Sequence, residues 1–267
     1  MPAIQPARLK KQVSDLVGKF NQPTIFVHDL HALLDLYTDH THRSGQSGDP
    51  SPLIATYKAP PPVMRQVWNE LNPLIKRQPA DALNLCDALW AEENYDLQLL
   101  AAQMLGQVPI PPPDPVIDRL STWIEQELDK RILDGLFEYG FTQLQQADPE
   151  SLLEVVSAWL SASKSPIKQA GLRALLPIIK QSGAGNIPSI FRMITPYIRV
   201  APPRLRPDIL EVLIVLARHS PSETAYLLRQ NLSAPNNPDT AWLIRQVLVE
   251  FPPETQASLR AALKENR

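Results

Sequence analysis

The sequence predicts an all-α protein, a right-handed superhelix of stacked antiparallel helix pairs. Three observations carry this. Every long apolar segment repeats at helical spacing, as Leu152, Leu153, Val156 and Leu160 do, and no segment alternates with period two. Twenty-eight prolines against nine glycines punctuate the chain, mostly between the periodic segments rather than inside them. At 267 residues the chain is long for one globular core, a length that an elongated array of stacked units accommodates.

The elements follow in order. Residues 5–20 read as a short basic amphipathic helix with Leu9, Val13, Leu16, Val17 and Phe20 on one side, and Phe26, Leu30, Leu33, Leu34 and Tyr37 mark a second. A loop rich in Ser, Gly and Pro, about 41–62, is the longest irregular piece and the expected mobile one. Helices are expected over 62–76, 80–91 and 95–107, then over 116–129 and 132–146 after the linker Ile110–Pro115. Five more segments follow over 188–200, 206–219, 222–232, 238–251 and 253–264. The expected organisation is one domain, 1–267: capping helices to about 40, the loop, and a repeat array from about 63. The helix–loop–helix spacing of about 35 to 40 residues falls in the HEAT and armadillo range.

The stretch Pro149–Lys180 reads as a helical hairpin. Asp148 is the expected N-cap of its first helix, the polar run Ser161–Ser165 ends that helix, and Pro166 opens the second, where a missing N–H costs nothing. Ala170, Gly171 and Ala174 would admit a neighbouring backbone closely, although Gly171 sacrifices about 1 kcal/mol of helix propensity. Trp90, Trp159, Leu153, Val156, Leu175 and Leu176 are the expected core.

Net charge is −2 and the sequence pI about 6.2, so the surface is not basic throughout. Charge is nevertheless segregated. Residues 114–154 hold ten acidic residues against three basic ones, whereas 164–219 hold nine Lys/Arg against Asp208 and Glu211. The lone Cys86 sits on a helical pattern as a small hydrophobe; with no long apolar run, a cytoplasmic protein is expected. There is no nucleophile elbow, Walker loop or dinucleotide fingerprint, and the carboxylates Glu125, Glu127, Asp129 and Asp134 read as a solvated helix face. His28, His31, Asp35 and Asp39 fall on one helical face, which is ligand chemistry, but Phe26, Leu30, Leu33 and Tyr37 occupy the other and no matching ligand cluster stands elsewhere, so the face reads as the solvated half of an amphipathic helix. No metal and no cofactor is expected.

Two places carry a family resemblance. One is the central hairpin, with Trp159 near the end of its first helix and small residues early in its second; the other is Leu89, Trp90, Asp96, Gln98, Ala101 and Ala102, a leucine–tryptophan pair followed by an acidic residue and an alanine-rich helix. Both resemble the HEAT-like repeats of the DNA alkylation repair family of DNA glycosylases. That resemblance implies a concave cleft holding an alkylated nucleotide, with an aromatic pair, an aspartate one turn on, an arginine early in the second helix of the central hairpin and a tryptophan near the C-terminus. An aromatic face stabilises a cationic base, a carboxylate stabilises the developing sugar cation, and arginine holds phosphate.

This chain departs from the pattern at each point. Ile124 and Leu128 stand at the aromatic and aspartate positions, with Trp123 and Glu127 offset by one residue as the only catalytic substitutes. Matching Trp159 places Gln169 at the arginine position, with Lys168 beside it, and Trp242 with Arg245 falls near the last motif. Two readings follow. One is a helical-repeat binding protein that has lost catalysis and takes duplex DNA or a protein partner in its concave surface, with no membrane and no small-molecule cofactor. The other is an alkylpurine glycosylase with a relocated site on Trp123 and Glu127. Nucleic-acid contacts are expected from Lys164, Lys168, Gln169, Arg173, Arg204, Arg206, Trp242 and Arg245, converging with Arg192, Arg199 and Arg218 on one side.

Overall fold

The computed structural model describes residues 5–38, 54–126, 128–181 and 187–266. Among these residues there are fifteen α-helices and no strand; the one β-type contact is an isolated bridge between Ala55 and Asn94. None of these helices is long and apolar enough to cross a membrane. The chain divides into two compact units, Met1–Leu152 and Leu153–Arg267.

The first unit holds α1 (Pro6–Val17), α2 (Pro23–Tyr37), α3 (Pro61–Arg77), α4 (Pro79–Trp90), α5 (Tyr95–Leu105), α6 (Asp114–Trp123), α7 (Lys130–Gly140) and α8 (Thr142–Ala147). The second holds α10 (Ser165–Gln181), α11 (Ile187–Arg199), α12 (Arg206–His219), α13 (Pro221–Leu232), α14 (Thr240–Val247) and α15 (Pro253–Glu265), and the boundary falls within α9 (Pro149–Ser161). Seven helices open on a proline, where the fixed φ suits the helix and the lost N–H has no partner to lose. Asp148 does cap α9: its carboxylate accepts from the Ser151 N–H at 3.1 Å and the Ser151 hydroxyl at 2.8 Å.

Within each unit helices pack on their sequence neighbours, α4 on α5 and α12 on α13, and also on helices two apart. In the first, α1 packs on α3, α2 on α4 and α5 on α7; in the second, α10 packs on α12 and α12 on α14, while α11 packs on α13 and α13 on α15.

Four expectations are corrected. Leu153 is only half-buried, whereas Leu152 is 1% exposed, because the stripe through Val156, Trp159 and Leu160 runs back four residues to 152. The helix expected over 116–129 stops at Trp123, and 132–146 splits after Gly140, where the Thr142 hydroxyl donates to the Tyr139 carbonyl at 2.7 Å. The loop expected at 41–62 falls outside the described residues up to 53. Its remainder is held: the Asp96 carboxylate accepts from the Thr56 hydroxyl (2.8 Å) and the Tyr57 N–H (2.7 Å), and the Tyr95 N–H reaches the Ala55 carbonyl.

Candidate nucleic-acid interface

The second unit is where the expected phosphate contacts lie. It carries fourteen Lys/Arg against eight Asp/Glu, a balance of +6, while the first unit carries twelve against twenty, or −8. The scaffold for these charges is the α9–α10 pair. A Cβ on Gly171 would stand 3.0 Å from Leu160 Cγ and 3.1 Å from the Leu160 backbone N, so glycine is what lets α10 lie against the end of α9. The Tyr197 hydroxyl on α11 donates to the Leu160 carbonyl at 2.5 Å, satisfying an acceptor that the end of a helix leaves free, and burial pushes its phenol pKa up.

Between these elements opens a cleft of about 450 Å³. Met193, Pro196, Tyr197 and Val200 supply apolar walls, Ser157 and Ser161 hydroxyls, and Lys168 and Arg192 the charge. Among the described residues neither cation has an ion-pair partner. Two free cations beside two hydroxyls form a site that phosphate oxygens suit.

The position resembling the family's arginine is built differently. Gln169 donates its amide to Asp208 Oδ2 at 3.0 Å. One turn on, Arg173 donates to Asp208 Oδ1 at 2.8 Å and Glu211 Oε2 at 3.1 Å, and is 2% exposed. Arg173 is therefore corrected from a nucleic-acid contact to a buried strut between α10 and α12, since a guanidinium sealed between carboxylates cannot reach a phosphate. Gln169 is likewise engaged internally.

The remaining basic residues differ in their partners. Arg206 donates to Asp239 Oδ1 at 2.9 Å and to the Ala201 carbonyl at 3.1 Å, and its guanidinium sits 4.9 Å from the Trp242 ring centroid. Arg199 donates to Asn231, and Arg218 pairs with Glu250 at 2.7 Å. Lys164, Arg204 and Arg245 are exposed. Asp208, Asp239 and Tyr197 are the residues that reading the sequence missed. The donors Gln169 and Arg173 at i, i+4 opposite the acceptors Asp208 and Glu211 at i, i+3 were the available signal, visible once α10 and α12 are known to be neighbours.

In the first unit, Trp123 stacks face to face on Trp90, with ring centroids 4.2 Å apart and planes 4° apart, and is 5% exposed. Four residues earlier, Arg119 forks onto Asp87, with Nη2 at 2.7 Å from Oδ2 and Nε at 3.0 Å from Oδ1. Residues 119 and 123 dock α6 on α4 through 87 and 90. Trp123 is thus corrected from an aromatic wall for a base to a core aromatic, because both its faces are covered. The helix carrying Trp123 ends at that residue, and Glu127 lies outside the described residues.

Around the histidines, His31 Nδ1 lies 2.7 Å from the Tyr57 hydroxyl and Nε2 3.2 Å from Glu92 Oε2, so both ring nitrogens hold the segment before α3 and the end of α4 to α2. His28 is exposed beside Asp29, which Lys19 also engages; Asp35 is exposed, and Asp39 lies outside the described residues. Among the described residues no group of three or more His, Cys, Asp or Glu is arranged to hold a metal ion.

The family resemblance in the sequence is matched by a direct comparison. The sequence model of the family described as DNA alkylation repair enzyme matches residues 57–241, while no curated protein and no solved structure matches the chain. The matched span runs from the Asp96-held segment before α3 to the start of α14, taking in both the Trp90–Trp123 stack and the α10–α12 network, and the chain belongs to the DNA alkylation repair enzyme family.

Proposed function

We propose that this chain is a member of its family that binds duplex DNA without excising alkylated bases. The observation that carries the reading is Gln169. At the position resembling the family's phosphate-holding arginine stands a neutral amide bonded to Asp208, and the neighbouring Arg173 is buried against the same carboxylate. Neither side chain offers a phosphate a free cation. The +6 balance of the second unit and the unpaired Lys168 and Arg192 give DNA a different place to dock. Burial of Trp123 against Trp90 counts against a relocated catalytic site.

The test is a salt-dependent titration of a labelled duplex. Lys168→Gln with Arg192→Gln should weaken binding of all sequences alike and flatten the salt dependence by about 0.9 per lost phosphate contact. Binding that ignores both substitutions would contradict the placement, and absence of duplex binding would leave a protein partner as the ligand class of this scaffold.

A further inference from the structure

The first unit carries a second recess, of about 310 Å³, bounded by Met64, Arg65 and Trp68 of α3, Gln103 of α5, Gln107 beyond its end, and Tyr139 of α7. Its composition differs from the cleft around Lys168. Two aromatic rings, two side-chain amides and one guanidinium share one small space.

Each group is placed to meet something from outside. Trp68 is half-buried and has no ring partner among the described residues, so its indole is available to a flat ligand. Arg65, one helical turn before it on the same face of α3, is exposed and has no ion-pair partner among the described residues. Gln107 likewise makes no side-chain hydrogen bond there, while Gln103 bonds to the Tyr139 hydroxyl, whose pKa burial pushes up and that bond draws back. An amide presents a donor and an acceptor side by side, which is the pattern a base edge displays.

The recess is also built rigidly. A Cβ on Gly106 would stand 1.8 Å from the Tyr139 carbonyl oxygen, and the Gln143 N–H donates to the Gly106 carbonyl at 3.1 Å. The backbone contact at Gly106 therefore locks the end of α5, with Gln103 on its last turns and Gln107 just beyond, to the end of α7, which carries Tyr139. A volume near 300 Å³ is at the small end of ligand cavities.

We propose that this recess binds a single nucleotide, its base stacked on Trp68 and read by the glutamine amides, its phosphate held by Arg65. Stacking supplies affinity that tolerates any base, and the guanidinium fork suits phosphate oxygens. The ligand can be a free mononucleotide or an unpaired nucleotide within a DNA strand; both present the same chemistry. The site does not depend on the Lys168–Arg192 cleft.

Calorimetric titration of the full chain with dAMP, with deoxyadenosine, and with two duplexes, one fully paired and one bearing a single bulged adenine, tests this. The expected result is saturable binding of dAMP or preference for the bulged duplex, with dAMP alone indicating a free nucleotide and the bulge alone a strand. Arg65→Gln, at an exposed position that leaves the fold intact, should weaken that binding about tenfold or more, bringing dAMP close to deoxyadenosine. Trp68→Leu should reduce it comparably, whereas Lys168→Gln should leave the dAMP affinity and the ratio of bulged to paired duplex unchanged. No saturable dAMP binding together with no preference for the bulge, or binding unmoved by Arg65→Gln, would overturn the proposal.

Discussion

Single residues decide where helices can meet. Gly106 and Gly171 are the clearest cases, because a methyl group at either would press on another helix's backbone. Gly106→Ala should destabilise the protein by about 3 kcal/mol or more, since a carbonyl oxygen cannot rotate away as a side chain can; a denaturant midpoint within error of the parent's would refute it. Leu175→Ala, at a site with no exposure, should cost about 2 to 5 kcal/mol, and Leu153→Ala clearly less. Cys86 offers an independent check. Burial raises its thiol pKa, so it should resist alkylation at pH 8 in the folded protein and react only on unfolding, with the rate tracking global opening. At this scale the sequence was readable where geometry is local. Asp148 as a cap and Gly171 as a packing glycine follow from neighbours in the chain, whereas choosing Leu152 over Leu153 needs the direction of a stripe that only the partner helices define.

At the scale of elements, two contacts organise the molecule and neither is visible from its own helix. Trp90 and Trp123 come together where α6 docks on α4, and α6 ends at Trp123 although the apolar pattern suggested it would run on. Trp123→Ala should therefore cost about 3 to 5 kcal/mol of stability as a large core deletion does. Retained thermal stability would show that the stack is dispensable. In the second unit, Asp208 is 4% exposed and holds both Gln169 and Arg173. Removing one partner of a buried pair strands a charge, so Asp208→Ala should cost about 3 to 5 kcal/mol, measurable by urea unfolding. The charged stretch containing Lys164 and Arg218 invited a reading as one nucleic-acid surface. What the linear sequence could not convey is that Asp208, Asp239 and Glu250 lie across from three of its arginines, leaving Lys168 and Arg192 to face the cleft.

For the whole molecule, the all-helical class was legible because it rests on periodicity and on prolines that do open helices, and family membership was legible because its packing residues are those that hold the helices together. Asp96 fastens the segment before α3, and Gln98 donates to the Trp90 carbonyl at 3.2 Å across the α4–α5 turn. At the positions expected to carry function, the Gln169 amide is bonded to Asp208 and the Trp123 indole is buried against Trp90. The opposite charge balances of the two units predict that binding of a polyanion falls steeply with salt although the net charge is −2. Anisotropy of a labelled duplex between low and physiological salt reads this directly, and a salt-independent affinity would count against it. DNA binding without base excision is tested most directly by base release from a duplex carrying a single methylated purine. No release above the spontaneous background is expected at protein concentrations that saturate the duplex. Clear excision by the unmodified protein, abolished by Glu127→Gln with duplex affinity retained, would contradict it and identify an enzyme with a relocated site.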